Sequence, residues 1–189
     1  MILRRGDTMK SMSTKRVAVE RASPLVAAGW RVVTCVQMPD IIRHLEALPT
    51  VDRSRRFGHA IRSSALRDYV QRIDLARDQA LGDFDPDQVL IGFTHVAVDQ
   101  ANYGAELGIS VLPEHRRQGI GEAMLLQAIK QAADLDLATV RVYLSHENDP
   151  MLKLALKAGF IVISRGGEAL ASRQIARSVR QSPLLALDT

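Results

Sequence analysis

The residues best suited to chemistry lie in Val111-Leu112-Pro113-Glu114-His115-Arg116-Arg117-Gln118-Gly119-Ile120-Gly121. Here a strand-like run ends, a short turn follows, and a helical pattern starts at a glycine pair. A helix start carries unpaired backbone N–H groups and partial positive charge. Glycine there lets a phosphate approach the main chain, and Arg116 and Arg117 add cationic donors. The segment therefore reads as an anion site suited to a pyrophosphate. Over these residues alone, a helix start with glycines kept for packing would look the same. The segment is not a P-loop, because no Gly-Lys-Ser/Thr follows. It is not a dinucleotide fingerprint either, because Arg117 stands where that pattern needs glycine.

Several elements must position this turn. Arg31 to Gln37 reads as a strand, from its Val and Thr content. Ile41, Ile42, Leu45 and Leu48 follow Pro39-Asp40 at helical spacing. Arg53 to Gly58 reads as a loop or short turn. Ser63 or Ser64 is placed to cap a second helix, with Leu66, Tyr69, Val70 and Ile73 on one side. Asp83-Phe84-Asp85-Pro86-Asp87 reads as a turn. Val89 to Val98 and Glu106 to Leu112 form a long hairpin about the Asp99-to-Gly104 loop. A helix runs from Ile120 to near Leu135, and a strand from Thr139 to Leu144. Asp149-Pro150 caps a helix that Gly159 ends. Phe160 to Ser164 is a further strand. Beyond Gly166-Gly167, Ala169 to Ile175 reads as its hairpin partner, although Glu168 to Val179 also fits a helix. The fold class is α/β, a mixed sheet with a largely antiparallel N-terminal half. Residues 1–29 are expected to be a poorly ordered arm or weak first strand, and 30–189 one domain.

With the strand before it and the helix after it, the turn resembles the acetyl-CoA pyrophosphate loop of the GNAT superfamily, Val-x-Pro-x-x-Arg-x-x-Gly-x-Gly/Ala. Val111, Pro113, Arg116, Gly119 and Gly121 fill that pattern. A second family landmark is an Asn after the next strand, then a short helix ending in Gly-Phe. Asn148, Met151 to Lys157 and Gly159-Phe160 match it. The resemblance is firm over residues 88–160 and looser over 30–87. It implies a GNAT acyl-CoA N-acyltransferase fold, acetyl-CoA as cofactor, and a central sheet splayed at the cofactor site. It also implies that backbone N–H groups of Gln118, Gly119, Ile120, Gly121 and Glu122 hold the pyrophosphate. Main-chain groups of Ile109 and Val111 would pair with pantetheine like an added strand, and Asn148 would position the CoA arm. Many members carry a Tyr seven residues after the Asn, as general acid. Here that position is Ala155, preceded by Leu154, so a tyrosine acid is excluded there. The pattern Glu147-Asn148-x-x-Met151, with Arg53-to-Gly58 upstream, is closer to the bacterial protein-lysine acetyltransferase branch, which is thought to use a glutamate in the strand before the loop.

Glu106 stands at that place. Alternation puts Leu107, Ile109 and Val111 on one strand face and Glu106, Gly108 and Ser110 on the other. An ammonium of pKa near ~10.4 must lose a proton before it attacks a thioester, so Glu106 is the expected general base. Partial burial would raise its pKa toward a useful value. A solvated strand end or a salt bridge to an N-terminal arginine would also account for it. Tyr143, Ser145 and His146 close the strand before Asn148, where the cleft should open. Any of them could protonate the leaving thiolate, or serve structure alone. His95 reads as a hydrogen-bonded core or cleft-lining histidine. Arg55, Arg56 and Phe57 either line the acceptor side or cover the core with their stems. The expected reaction is direct acetyl transfer to a primary amine, of a small molecule or a protein lysine. The rival reading is a non-catalytic acyl-CoA-binding regulatory module.

Bulk properties agree. The 189 residues suffice for one domain, with 47% hydrophobic and 24% charged residues as in an average globular protein. Aromatics make up only 4%, so aliphatic side chains must fill the core. No apolar run is long enough for a transmembrane helix or signal peptide, and Met9 and Met12 leave the true start open. The single cysteine, Cys35, allows no internal disulfide and fits a cytoplasmic protein; it reads as a small buried residue. No Cys/His cluster has metal-ligand spacing. The net charge of +4 hides +8 over residues 1–72 and −6 over residues 73–112. The basic third lacks interleaved aromatics, so neither nucleic acid nor membrane is expected as a partner. The acidic stretch hints at a cationic acceptor. A homodimer is as compatible as a monomer.

Overall fold

A computed structural model describes residues 30–175, and the expected arm at 1–29 lies outside them. The strands are β1 (Arg31–Val32), β2 (Gln79–Phe84), β3 (Leu90–Asp99), β4 (Gly104–Val111), β5 (Thr139–Ser145), β6 (Ile161–Arg165) and β7 (Glu168–Gln174). The helices are α1 (Met38–Ala47), α2 (Thr50–Phe57), α3 (Ser63–Gln71), α4 (Ile120–Asp134) and α5 (Asp149–Lys157). The strands form one sheet in the order β1-β2-β3-β4-β5-β7-β6. Every neighbouring pair is antiparallel except β4 and β5. The expected mixed, mostly antiparallel sheet is therefore observed, and the segment after Gly167 is strand rather than helix as far as Gln174.

Helices cover both faces of the sheet. Leu125, Ala128 and Ala132 of α4 and Ala155 of α5 pack with Val96, Leu107, Val140 and Val142. Ile41 and Leu45 of α1 and Leu66 and Val70 of α3 pack with Phe93 and Leu112 on the other side. Burial of the Val, Leu, Ile and Phe side chains among these, about 1.5–3 kcal/mol each, holds the layers together.

Four local expectations are corrected. The first strand stops at Val32, and Cys35–Gln37 form a 3₁₀ turn. Gln37 folds back so that its Oε1 accepts from the Thr34 N–H at 3.0 Å, which leaves Cys35 exposed. Arg53 to Gly58 is not a loop: α2 spans it and ends at Gly58 in the left-handed region, φ 77°. None of its residues is fully buried, so no apolar stripe betrays it. Asp83 and Phe84 belong to β2 rather than to a turn. Gly82 is small because a Cβ there would meet Phe84 and Leu90 at 2.6 and 2.7 Å, and Asp83 is buried, which pushes its carboxyl pKa up. The helix caps also move by one residue. Arg62, not a serine, precedes α3 without a side-chain cap, and Asn148 rather than Asp149 caps α5.

Candidate functional site

The site lies where the sheet opens. β4 and β5 pair only from Gly104 to Glu106, against Thr139 to Arg141. Beyond that the strands diverge, because β4 stays on its long hairpin partner β3 while β5 follows β7. On the other edge of β4, the Leu112 N–H donates to the Ile91 carbonyl at 2.9 Å. Backbone direction alternates along a strand, so the groups of Val111 and Ile109 face the gap. The Val111 carbonyl accepts from Arg116 Nε at 2.9 Å, in keeping with that direction.

A cavity of about 280 Å³ runs beside this edge, lined by Ile109, Val111, Arg116, Arg117, Ile120, Gly121 and Asn148 among others. At its floor, α4 starts after Gly119, φ 85°, with no side-chain cap, so the first N–H groups of the helix are left for another acceptor. A Cβ at Gly121 would meet only Leu154 and Val111, at 3.8 and 3.9 Å, which is ordinary contact. The protein itself therefore does not require glycine there. Glu122 pairs with Lys157 at 2.7 Å, and Gln118 reaches back to the Glu114 carbonyl at 3.4 Å. Arg116 is tied to Asp52 of α2 at 3.0 Å, so its side chain braces the turn against α2. Arg117 is exposed and bends the turn with φ 62°. Asn148 Oδ1 caps α5 by accepting from the Met151 N–H at 3.4 Å.

A second cavity, of about 410 Å³, opens on the α1–α3 side of the same gap. Glu106, Tyr143 and Ser145 line it. Glu106 is exposed rather than partly buried, and Tyr143 is 57% exposed. Ser145 Oγ accepts from the Glu147 N–H at 3.2 Å. His146 is not among the lining residues. Ala155 is fully buried in the core and Leu154 lines the smaller cavity, so neither supplies a titratable group.

His95 and Arg56 line this cavity, as the sequence suggested, but the sequence reading missed Asp78 and the hydrogen bonds that join these groups through Tyr69. Asp78 is buried at the edge of β2. Burial alone would raise its pKa, but hydrogen bonds from Arg77, the Val98 N–H and His95 prevail and hold it at about 2. Such a carboxylate only accepts, so His95 Nε2 donates to Asp78 Oδ2 at 3.2 Å. His95 Nδ1 is then the acceptor for the Tyr69 hydroxyl at 2.8 Å. Burial pushes the His95 pKa down, against the pull of Asp78 and with the help of the Arg56 charge. The Tyr69 oxygen accepts from Arg56 Nη2 at 3.1 Å. Another missed residue, His44, joins α1 to the sheet: its Nδ1–H donates to the Leu90 carbonyl at 2.9 Å, and Ser110 Oγ donates to Nε2 at 2.8 Å. Burial lowers the His44 pKa to about 4. The only sequence signal for these groups is polarity inside apolar runs. Among the described residues no cluster of three or more His, Cys, Asp or Glu could hold a metal ion. No helix there is long and apolar enough to cross a membrane.

Comparison with known proteins agrees with this geometry. The family model described as Acetyltransferase (GNAT) family matches residues 46–160. No curated protein sequence matches the chain. Among solved structures, the GNAT domain of S. lividans PAT is similar with a TM-score of 0.64 at 16% identity, covering 77% of this chain and 89% of that one. A GNAT superfamily phosphinothricin acetyltransferase from Sinorhizobium meliloti, in complex with AcCoA, has TM-score 0.64 at 16% identity, over 84% of this chain and 94% of that one. The PaiA N-acetyltransferase from Thermoplasma acidophilum, in complex with coenzyme A, has TM-score 0.61 at 20% identity, over 77% and 98%.

Proposed function

Since the chain belongs to the acetyltransferase (GNAT) family, we propose that it is an N-acetyltransferase that takes the acetyl group from acetyl-CoA and delivers it to a primary amine by direct attack. The observation that carries this reading is the divergence of β4 from β5 after Glu106, with an uncapped helix start at one end of the gap. Acetyl-CoA bound in one of the solved neighbours and coenzyme A in another support the choice of cofactor. In this chain the N–H groups from Gln118 to Glu122 would hold the diphosphate, and Arg117 would add charge. The gap-facing groups of Ile109 and Val111 would pair with the pantetheine arm, and Asn148 would flank it.

The chemistry then falls in the larger cavity. The amine attacks the thioester carbon, a gap-facing N–H polarises the carbonyl oxygen, and Glu106 takes a proton from the amine. Glu106 is exposed in a cavity open to water, so the transfer can run through one water molecule. The sulfur regains a proton as the C–S bond breaks, with Tyr143 or Ser145 in reach of the gap as donor. Holding both reactants in one cleft supplies most of the acceleration.

A second reading, a non-catalytic acyl-CoA-binding module, draws on the absence of an acid at Leu154 and Ala155. One experiment separates the two. Purified protein is titrated with acetyl-CoA by calorimetry, and CoA release is followed with a panel of amines. Binding with amine-dependent release is expected. Binding without release for any amine favours the second reading, and no binding rejects both.

A further inference from the structure

Arg56 has no part in the mechanism above, yet it stands in the wall shared by the two cavities. Its guanidinium lies against the main chain of β4. A Cβ at Gly108 would come within 1.7 Å of Arg56 Nη2, so the arginine occupies the space a side chain there would need. Its Nε is buried without a hydrogen-bond partner. Its guanidinium pairs with no carboxylate among the described residues, whereas adjacent Arg55 has Asp52 at 3.6 Å. A partly desolvated cation without a counter-charge is an unfavourable arrangement in an empty protein. His44 and His95, both held low first by burial, are pushed further down by this charge.

The guanidinium is also aimed. The Tyr69 oxygen is available to it because the Tyr69 proton is committed to His95, and the His95 proton is committed to ionised Asp78. The chain thus runs from a buried carboxylate to the cavity wall. The rings of Phe57 and Tyr69 stand 5.0 and 5.8 Å from the guanidinium carbon. Glu106 projects from the same face of β4, two residues before Gly108, which places it roughly 7 Å along the strand from the guanidinium.

We propose that the acceptor carries a carboxylate beside its amine, that Arg56 grips the carboxylate while the amine faces Glu106, and that the substrate is an amino-acid-sized zwitterion. An α-amino acid with a hydrogen bond of about 2.8 Å at each end spans that gap. The cavity of about 410 Å³ takes a molecule of this size. Asp78, His95 and Tyr69 act through Arg56 as positioning residues. This inference rests on the acetyltransferase reading and narrows it away from polyamines and protein lysines.

The test uses a panel of α- and β-amino acids, each beside its amide and its decarboxylated amine (leucine, leucinamide and isopentylamine, for example), with a lysine blocked at both ends to stand for protein. Free CoA release is measured with the full chain. The best amino acid should exceed its amide and amine roughly 10- to 100-fold in kcat/KM, mostly through KM, the effect of one charge-assisted bidentate contact. Arg56→Gln should collapse that ratio toward one. Tyr69→Phe, which keeps the ring and removes the oxygen, should raise the amino acid KM several-fold. The wild-type panel needs no variant to fold. Acetyl-CoA bound with no amino acid turned over, or with the amide or blocked lysine served equally well, overturns the acceptor assignment alone. So does an Arg56→Gln enzyme slowed by the same factor for every amine. Failure to bind acetyl-CoA overturns the underlying reading as well.

Discussion

Gly121→Glu should stabilise the protein and destroy its cofactor site at once. Gly121 lies in the first turn of α4 and does not have positive φ. A side chain there begins without a clash, in ordinary contact with Leu154 and Val111 at 3.8 and 3.9 Å. Replacing glycine at a compatible position stabilises by about 0.4–1 kcal/mol, because the unfolded chain loses freedom. A carboxylate near a helix N-terminus adds about 0.3–1 kcal/mol through the helix dipole. The sum, about 0.7–2 kcal/mol, corresponds to a rise in Tm of about 1–8 °C for a chain of this size. The same carboxylate would occupy the place proposed for the diphosphate and meet it with like charge. Wild-type protein at a hundredfold excess of acetyl-CoA over Kd should gain about 2.7 kcal/mol, and the variant should gain nothing. The assays are thermal melts with and without acetyl-CoA, and calorimetry. A variant that melts lower without ligand would show that glycine serves packing. A variant that binds acetyl-CoA as tightly as wild type would place the diphosphate elsewhere.

Glu106→Gln should lower turnover about 10²- to 10⁴-fold, the range for losing a general base, with acetyl-CoA affinity nearly unchanged; full turnover rejects the assignment. Stability should fall on acidification because His44, about 6.5 when unfolded, is lowered to about 4 in the fold. The unfolded state then binds more protons below pH 6.5, and the loss continues as pH falls toward 4. Between pH 7.5 and 5.0 it amounts to about 2 kcal/mol. Urea unfolding of His44→Asn should be weaker at neutral pH yet lack that part of the slope; an equal slope refutes the assignment. Cys35 is exposed and should react with a thiol reagent in native buffer as fast as a free small thiol. A rate limited by unfolding would place it in the core.

The turn from Val111 to Gly121 was legible because it is local. Pro113, Gly119 and the change of period at Ile120 act within a few residues, and backbone sterics and helix-end hydrogen bonding dictate their geometry wherever they occur. The β3–β4 hairpin, α4 and α5 were legible for the same reason, since each carries its own periodicity. The first strand, α2 and β2 were misread because neighbours decide them. α2 has few apolar residues and is held by Phe57 against the core and by Arg116–Asp52, while Gly82 fits β2 because Phe84 and Leu90 fill the space beside it, and Asp83 pairs with Gly92 of β3.

The turn, the Glu106 face of β4 and the class of fold were thus contained in the chain itself, through short-range spacing. Only the tertiary structure brought Arg56, Tyr69, Asp78 and His95 together. They come from two helices, the lead into β2, and β3. Their hydrogen bonds form only after the layers have packed and water has been excluded, and that long-range burial leaves no period in the sequence to read.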